Sequence, residues 1–212
     1  MHRIRVAGAT ARRIIMNKQK IKRMVSIALL MGMVIVLQFV GSSIPPIGGL
    51  VSISLVLIPI VLGAAAFGPG CGAFLGATFG VVVAINCITG ADPGGAMVFQ
   101  ANPALCVVVV LGKGVLAGLC SGLVYHAISK KNAKIAMLMA AIVCPVVNTG
   151  TFLSCMALFF QNVLTVWANS AGAANVIVYV FSILILCNFV PELLINVIFS
   201  PAGQRILHVI KK

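Results

Sequence analysis

Two long stretches of this chain carry almost no charge. Between Met24 and Ile128 the only charged side chains are Asp92 and Lys113, and between Ile135 and Gln204 the only one is Glu192. The remaining charges are all basic and fall in three clusters, Arg3 to Arg23, Lys130 to Lys134 and Arg205 to Lys212. A domain folded in water covers its surface with charge. A chain that is 61% hydrophobic with a mean hydropathy of +1.18 has too little to do so. Its solvent is therefore lipid, where backbone polar groups must be satisfied within helices.

The net charge of +13 does not mark a nucleic-acid binder. No basic residue alternates with aromatics, and each cluster flanks a long apolar run. Lys and Arg gather on the cytoplasmic side of membrane segments. Both termini are thus expected inside, the number of spans is even, and the clusters face the anionic inner leaflet of the bilayer.

The apolar runs predict an all-α integral membrane protein with six transmembrane helices, at residues 24–40, 51–67, 71–88, 103–128, 133–160 and 174–199. The connections 41–49, 89–102 and 161–174 hold no Lys or Arg and are expected outside as loops. Those at 67–70 and 129–134 are expected inside. A count of four spans follows instead if the second and third segments form a re-entrant hairpin. Residues 1–22 read as a basic cytoplasmic segment, 23–205 as the membrane domain and 206–212 as a basic cytoplasmic tail. Met16 opens a second possible start, and residues 1–15, with four Arg and no acid, are expected to be disordered or to lie on the membrane surface. The first apolar run lacks a small-x-small cleavage pattern and is expected to remain as a span.

The side chains that catalysis needs are scarce. Two acids in different regions cannot form an aspartyl dyad or an acidic metal cluster, and His2, His126 and His208 all fall at cytoplasmic helix ends or in the tail. The seven Cys are scattered without a CxxC, so they read as small apolar packing residues, and neither a metal nor a cofactor is expected. No nucleotide-binding loop or internal repeat is present. Binding or transport remains.

Several motifs refine that reading. Ala28 and Gly32 lie four apart in the first segment, a spacing that lets another helix approach closely, either a helix of the same molecule or one of a partner. Pro59, then Gly63 to Ala66, FGPG and the i+4 series Gly72, Gly76 and Gly80 describe a smooth, closely packed hairpin. The stretch IPIVLGAAAFGPGCGAFLGATFG, with a Pro–Gly-rich loop after the first segment and N-x-x-P-E in the last, resembles the S components of energy-coupling factor (ECF) vitamin transporters, over about residues 22–205. The resemblance implies a six-helix subunit that captures a vitamin from outside and delivers it inward with a coupling transmembrane subunit and two ATPase subunits. It also implies that Ala28 and Gly32 dock the coupling subunit, with Gly where the second Ala is usual.

The same resemblance places an outward pocket among the external loops and the outer halves of the later helices. Polar residues of compatible depth are Gln38, Asn86, Lys113, Asn148, Thr149 and Asn188, with Asn102 and Trp167 contributed by the connections. Lys113 is the expected anchor for a carboxylate or phosphate, with Gly112-Lys113 in place of the family's usual Pro-Arg; an ion pair with Glu192 is its structural alternative. Asn148, between Pro145 and Gly150, is expected in a locally irregular helix. Asp92 reads as a turn residue, Met97 to Phe99 as a lid over the ligand, Trp167 as either an interfacial anchor or a stacking partner, and Glu192 as a structural or coupling residue, with substrate contact as its alternative. Within that family, the pattern of the second and third segments, a cation in the fourth, NT in the fifth and N-x-x-P-E in the sixth is most similar to the pantothenate-type group, whose one carboxylate suits Lys113 among amides. The few aromatics expected near the pocket speak against a flat ring such as riboflavin. A stand-alone carrier and a purely structural subunit are the readings outside this family.

Overall fold

The computed structural model describes the backbone of residues 2–43 and 55–211, and the side chains of residues 19–41 and 55–208. Its elements are α1 (His2–Ser43), α2 (Leu57–Phe67), α3 (Pro69–Thr89), α4 (Pro93–Ala101), α5 (Pro103–Ser129), α6 (Ala133–Phe159), α7 (Gln161–Ser170) and α8 (Val176–Tyr179). A π-helical segment, Val180–Phe189, then leads into α9 (Val190–Lys211). No strand occurs among the described residues.

The local reasons are conventional. Proline opens α3, α4 and α5, where its missing N–H costs nothing. Asn side chains cap three starts: Asn102 accepts from the Leu105 N–H at 3.1 Å, Asn132 from Lys134 and Ile135, and Asn175 from Val178 at 2.8 Å. Gly68, at φ 104°, makes the α2–α3 turn in a conformation that other residues rarely adopt.

Among the described residues, five stretches are long and apolar enough to cross a membrane: Gln19–Gly41 within α1, then α3, α5, α6 and Val176–His208. The expected second helix appears as α2, whose 11 residues rise only about 16 Å, roughly half of a bilayer core. Part of its expected range, and most of the first connection, lies outside the described residues.

The centre of the fold is the antiparallel contact of α3 with α5. Gly72 faces Gly118, Gly76 faces Gly114, and Gly80 lies over Leu111. A Cβ on Gly76 or Gly118 would fall onto the opposing carbonyl, so the two backbones touch. The stripe on α3 is legible in the sequence, whereas its partner on α5, Gly114, Gly118 and Gly122, emerges only from the packing. Against this pair pack α2, α6 and α1, and α9 lies on α6.

Three expectations are corrected. The basic N-terminal residues extend α1 back to His2 rather than standing apart as disorder. The connections 89–102 and 161–174 are not plain loops, because each holds a helix, α4 and α7. Finally, α6 runs unbroken through Pro145, and the irregular backbone sits instead in the π-helical segment of the last span.

The register also fixes the ends. Gly122 packs on Pro69, so the FGPG turn and the Lys130–Lys134 connection share one end of the molecule. Arg23 Nη2 donates to the Phe67 carbonyl at 3.5 Å, which brings the end of the first basic cluster there too. Gly203 meets Leu62 and Met137 near the start of α6, carrying Arg205 to the same end.

Candidate ligand-binding cavity

A cavity of about 120 Å³ opens at the other end, beneath α4 and α7. One buried water needs about 10–15 Å³, so the space suits a small organic molecule. Every long described element contributes to the wall. Gln38 comes from α1; Phe79, Val83, Asn86 and Cys87 from α3; Cys106, Val109, Val110 and Lys113 from α5. Asn148, Thr149 and Phe152 come from α6, and Asn188 and Glu192 from the last span, while Asp92 just before α4, Gly95 and Val98 of α4 and Trp167 of α7 cover it.

Seven of the eight residues named from sequence for substrate contact therefore meet around one space. Asn102 is the one left out. Its side chain is engaged as the α5 cap and does not reach the wall.

Lys113 is half-buried, and its ammonium lies over two rings, 4.7 Å from the centre of Phe152 and 5.6 Å from that of Phe79. These cation–π contacts hold the charge without neutralising it. Among the described residues Lys113 closes no ion pair, with Glu192 or any other acid.

Around this cation the wall is short of partners. Asn86 Nδ2 and Trp167 Nε1 are buried donors without an acceptor, and Asn148 Oδ1, Asn188 Oδ1 and Glu192 Oε1 are buried acceptors without a donor. Leaving such a group unpaired costs roughly 1–3 kcal/mol. Five of them around one cavity mark a surface built to be completed by water or by a ligand.

Four sequence-based assignments change. Trp167 is 2% exposed and walls the cavity, which removes its reading as an interfacial anchor. Asp92 lies at the start of α4 and also lines the space. Glu192, read first as a structural or coupling residue and second as a substrate contact, reaches the same cavity as Asn188. Phe79, Phe152 and Trp167 overturn the expectation that the pocket is poor in aromatics.

The residues that sequence reasoning missed lie at helical spacing from those it found. Phe79 is seven before Asn86, Phe152 is four after Asn148, and Cys106 is seven before Lys113. Extending the periodicity of the polar residues along each helix would have picked them out.

The chain matches the family model described as ECF transporter, substrate-specific component, over residues 22–202. No curated protein matches it. No solved structure matches it either.

Proposed function

The chain belongs to the substrate-specific components of ECF transporters, and from that premise we propose that it captures a small carboxylic-acid vitamin, pantothenate, from outside the cell. Membership makes it a membrane-embedded substrate-binding subunit of an importer, in a family that is not one of enzymes. The observation that carries the substrate reading is the un-neutralised Lys113 ammonium facing a cavity of unpartnered amides. The cation suits one carboxylate. Asn86 and Trp167 offer donors, and Asn148 and Asn188 offer acceptors, for the hydroxyl and amide groups of the rest of the molecule.

The gathering of basic residues at the end opposite the cavity supports a bacterial plasma-membrane topology with that end in the cytoplasm. In this arrangement the segment that contains α2 is the sixth span. Residues 1–22 and 206–212 flank the membrane domain 23–205 on the inner side, and the cavity opens outward.

Delivery inward rests on a coupling subunit and two ATPase subunits. The docking surface on this chain is the open face of α1. Ala28 is exposed, and a Cβ on Gly32 would meet nothing within 4 Å. Exposed Met24, Val25, Leu29, Met33 and Val36 border these two small residues. Ala28→Leu and Gly32→Leu should each abolish uptake in cells that carry the full transporter while leaving ligand affinity unchanged. Uptake that survives both substitutions would remove this face from docking.

Riboflavin is the second reading, favoured by the three aromatic rings of the wall. The size of the cavity suits a small acid better than a fused tricycle. Native mass spectrometry of the purified protein, followed by identification of the released ligand, separates the two. Stoichiometric pantothenate is the expected result. A flavin would transfer the assignment, and an empty protein that no vitamin stabilises would end it.

A further inference from the structure

Glu192 is the one carboxylate in the 70 residues from Ile135 to Gln204, and it is 2% exposed at the cavity wall. A structural role requires neighbours that satisfy its oxygens. The Asn196 amide does not do so, because Asn196 Nδ2 donates to the Glu192 backbone carbonyl at 2.8 Å rather than to its side chain. Oε1 is left without a partner. Lys113 on the same wall closes no ion pair with it and is held over its two rings.

The backbone supplies an independent observation. The ten-residue π-helical segment Val180–Phe189 ends three residues before Glu192. π-helical turns add residues per turn, rotate the side chains that follow and gather at functional sites. Here the segment delivers Asn188 and then Glu192 to the cavity. Both present an acceptor oxygen with no donor, whereas Lys113 on the α5 wall is a cation.

We propose that Glu192 is a specificity-determining ligand contact that accepts hydrogen bonds from hydroxyl groups of the substrate, so that the cavity is bipolar and reads a hydroxylated acid by both ends. The inference rests on the substrate reading above and adds to it. Lys113 takes the anionic group, and Asn188 with Glu192 takes the donor-bearing end. An acid of the same length without hydroxyl groups leaves Glu192 unsatisfied and is rejected, because a buried acceptor left unpaired costs more than a lost contact.

The test uses the full chain in detergent micelles or nanodiscs, with isothermal titration of three probes. These are pantothenate, its alcohol analogue without the carboxylate, and an N-acyl-β-alanine of matched size without hydroxyl groups. Glu192→Gln keeps the shape and Glu192→Ala removes the group; Lys113→Met reports on the other end. Pantothenate binding should weaken at least tenfold in Glu192→Ala and less in Glu192→Gln, while the hydroxyl-free analogue should bind Glu192→Ala more tightly than the wild type, because the carboxylate it leaves unsatisfied is gone. Lys113→Met should weaken pantothenate but not the alcohol.

A second readout separates a ligand contact from a structural group. The ligand-free Glu192→Gln protein should melt at the wild-type temperature or above it, since an uncompensated buried carboxylate has been removed. A lower melting temperature with unchanged pantothenate affinity would make Glu192 structural and overturn the proposal. Equal weakening of pantothenate and the hydroxyl-free analogue would overturn it as well. If the wild-type protein binds none of the probes, the pantothenate reading itself falls, and the inference falls with it.

Discussion

Lys113 concentrates the chemistry of this protein at the residue scale. A cation within a span costs at least about 2.5–3.5 kcal/mol unless it is paired or wetted, and here two rings and a cavity attend it rather than a carboxylate. Lys113→Met should weaken the binding of an acidic vitamin by at least about tenfold, or 1.4 kcal/mol, measured by titration calorimetry. An unchanged affinity would remove Lys113 from the binding surface. Asn102 provides the opposite expectation, because its oxygen caps α5. Asn102→Ala should lower stability by about 0.5–2 kcal/mol in a thermal melt and leave affinity intact. Polar residues such as Asn86, Asn148 and Asn188 were legible in sequence because few side chains of that kind occur between long apolar runs. Phe79, Phe152 and Cys106 were not, because the same residue types fill any helix contact, and only the packing shows which of them border a void.

Among the elements, legibility followed length. The long apolar runs gave α3, α5 and α6 nearly to the residue, since composition alone decides that a lipid-facing segment is helical. The cap helices α4 and α7 were hidden behind Gly, Pro and Asn, which read as loop chemistry when they in fact start and stop short helices. The π-helical segment leaves no mark in VFSILILCNF, because a backbone with one more residue in each hydrogen-bonded loop uses the same apolar side chains. Glycine has two distinct meanings in α5. Gly118 abuts the Gly72 carbonyl, while Gly112 has nothing within 4 Å of an added Cβ. Gly118→Ala should cost about 1–3 kcal/mol through overpacking, whereas Gly112→Ala should be neutral or stabilise by up to about 1 kcal/mol through helix propensity. Melting curves of the two variants in one detergent check the pair. Equal effects would mean that the α3–α5 approach is not the close contact described.

For the whole molecule, the basic clusters and the cavity occupy opposite ends, and this polarity was readable from the spacing of Lys and Arg. The covering of the cavity was not, since it depends on α4 and α7 meeting from distant parts of the chain. Gly90 at φ 78° precedes α4 and Gly172 at φ 67° follows α7, so each cap helix adjoins a residue free to change its backbone angles. The cap has a temporal consequence. If α4 and α7 must part before a ligand enters, capture should be gated rather than set by encounter. Trp167, the single tryptophan, sits in the cover against the cavity and supplies its own fluorescence signal. In stopped-flow mixing the observed rate should level off as vitamin concentration rises, at a plateau equal to the opening frequency of the cap. A linear climb would mean an open door. With a plateau, the same slow opening would also govern escape, and a captured molecule would be retained long enough for scarce nutrients to accumulate one by one.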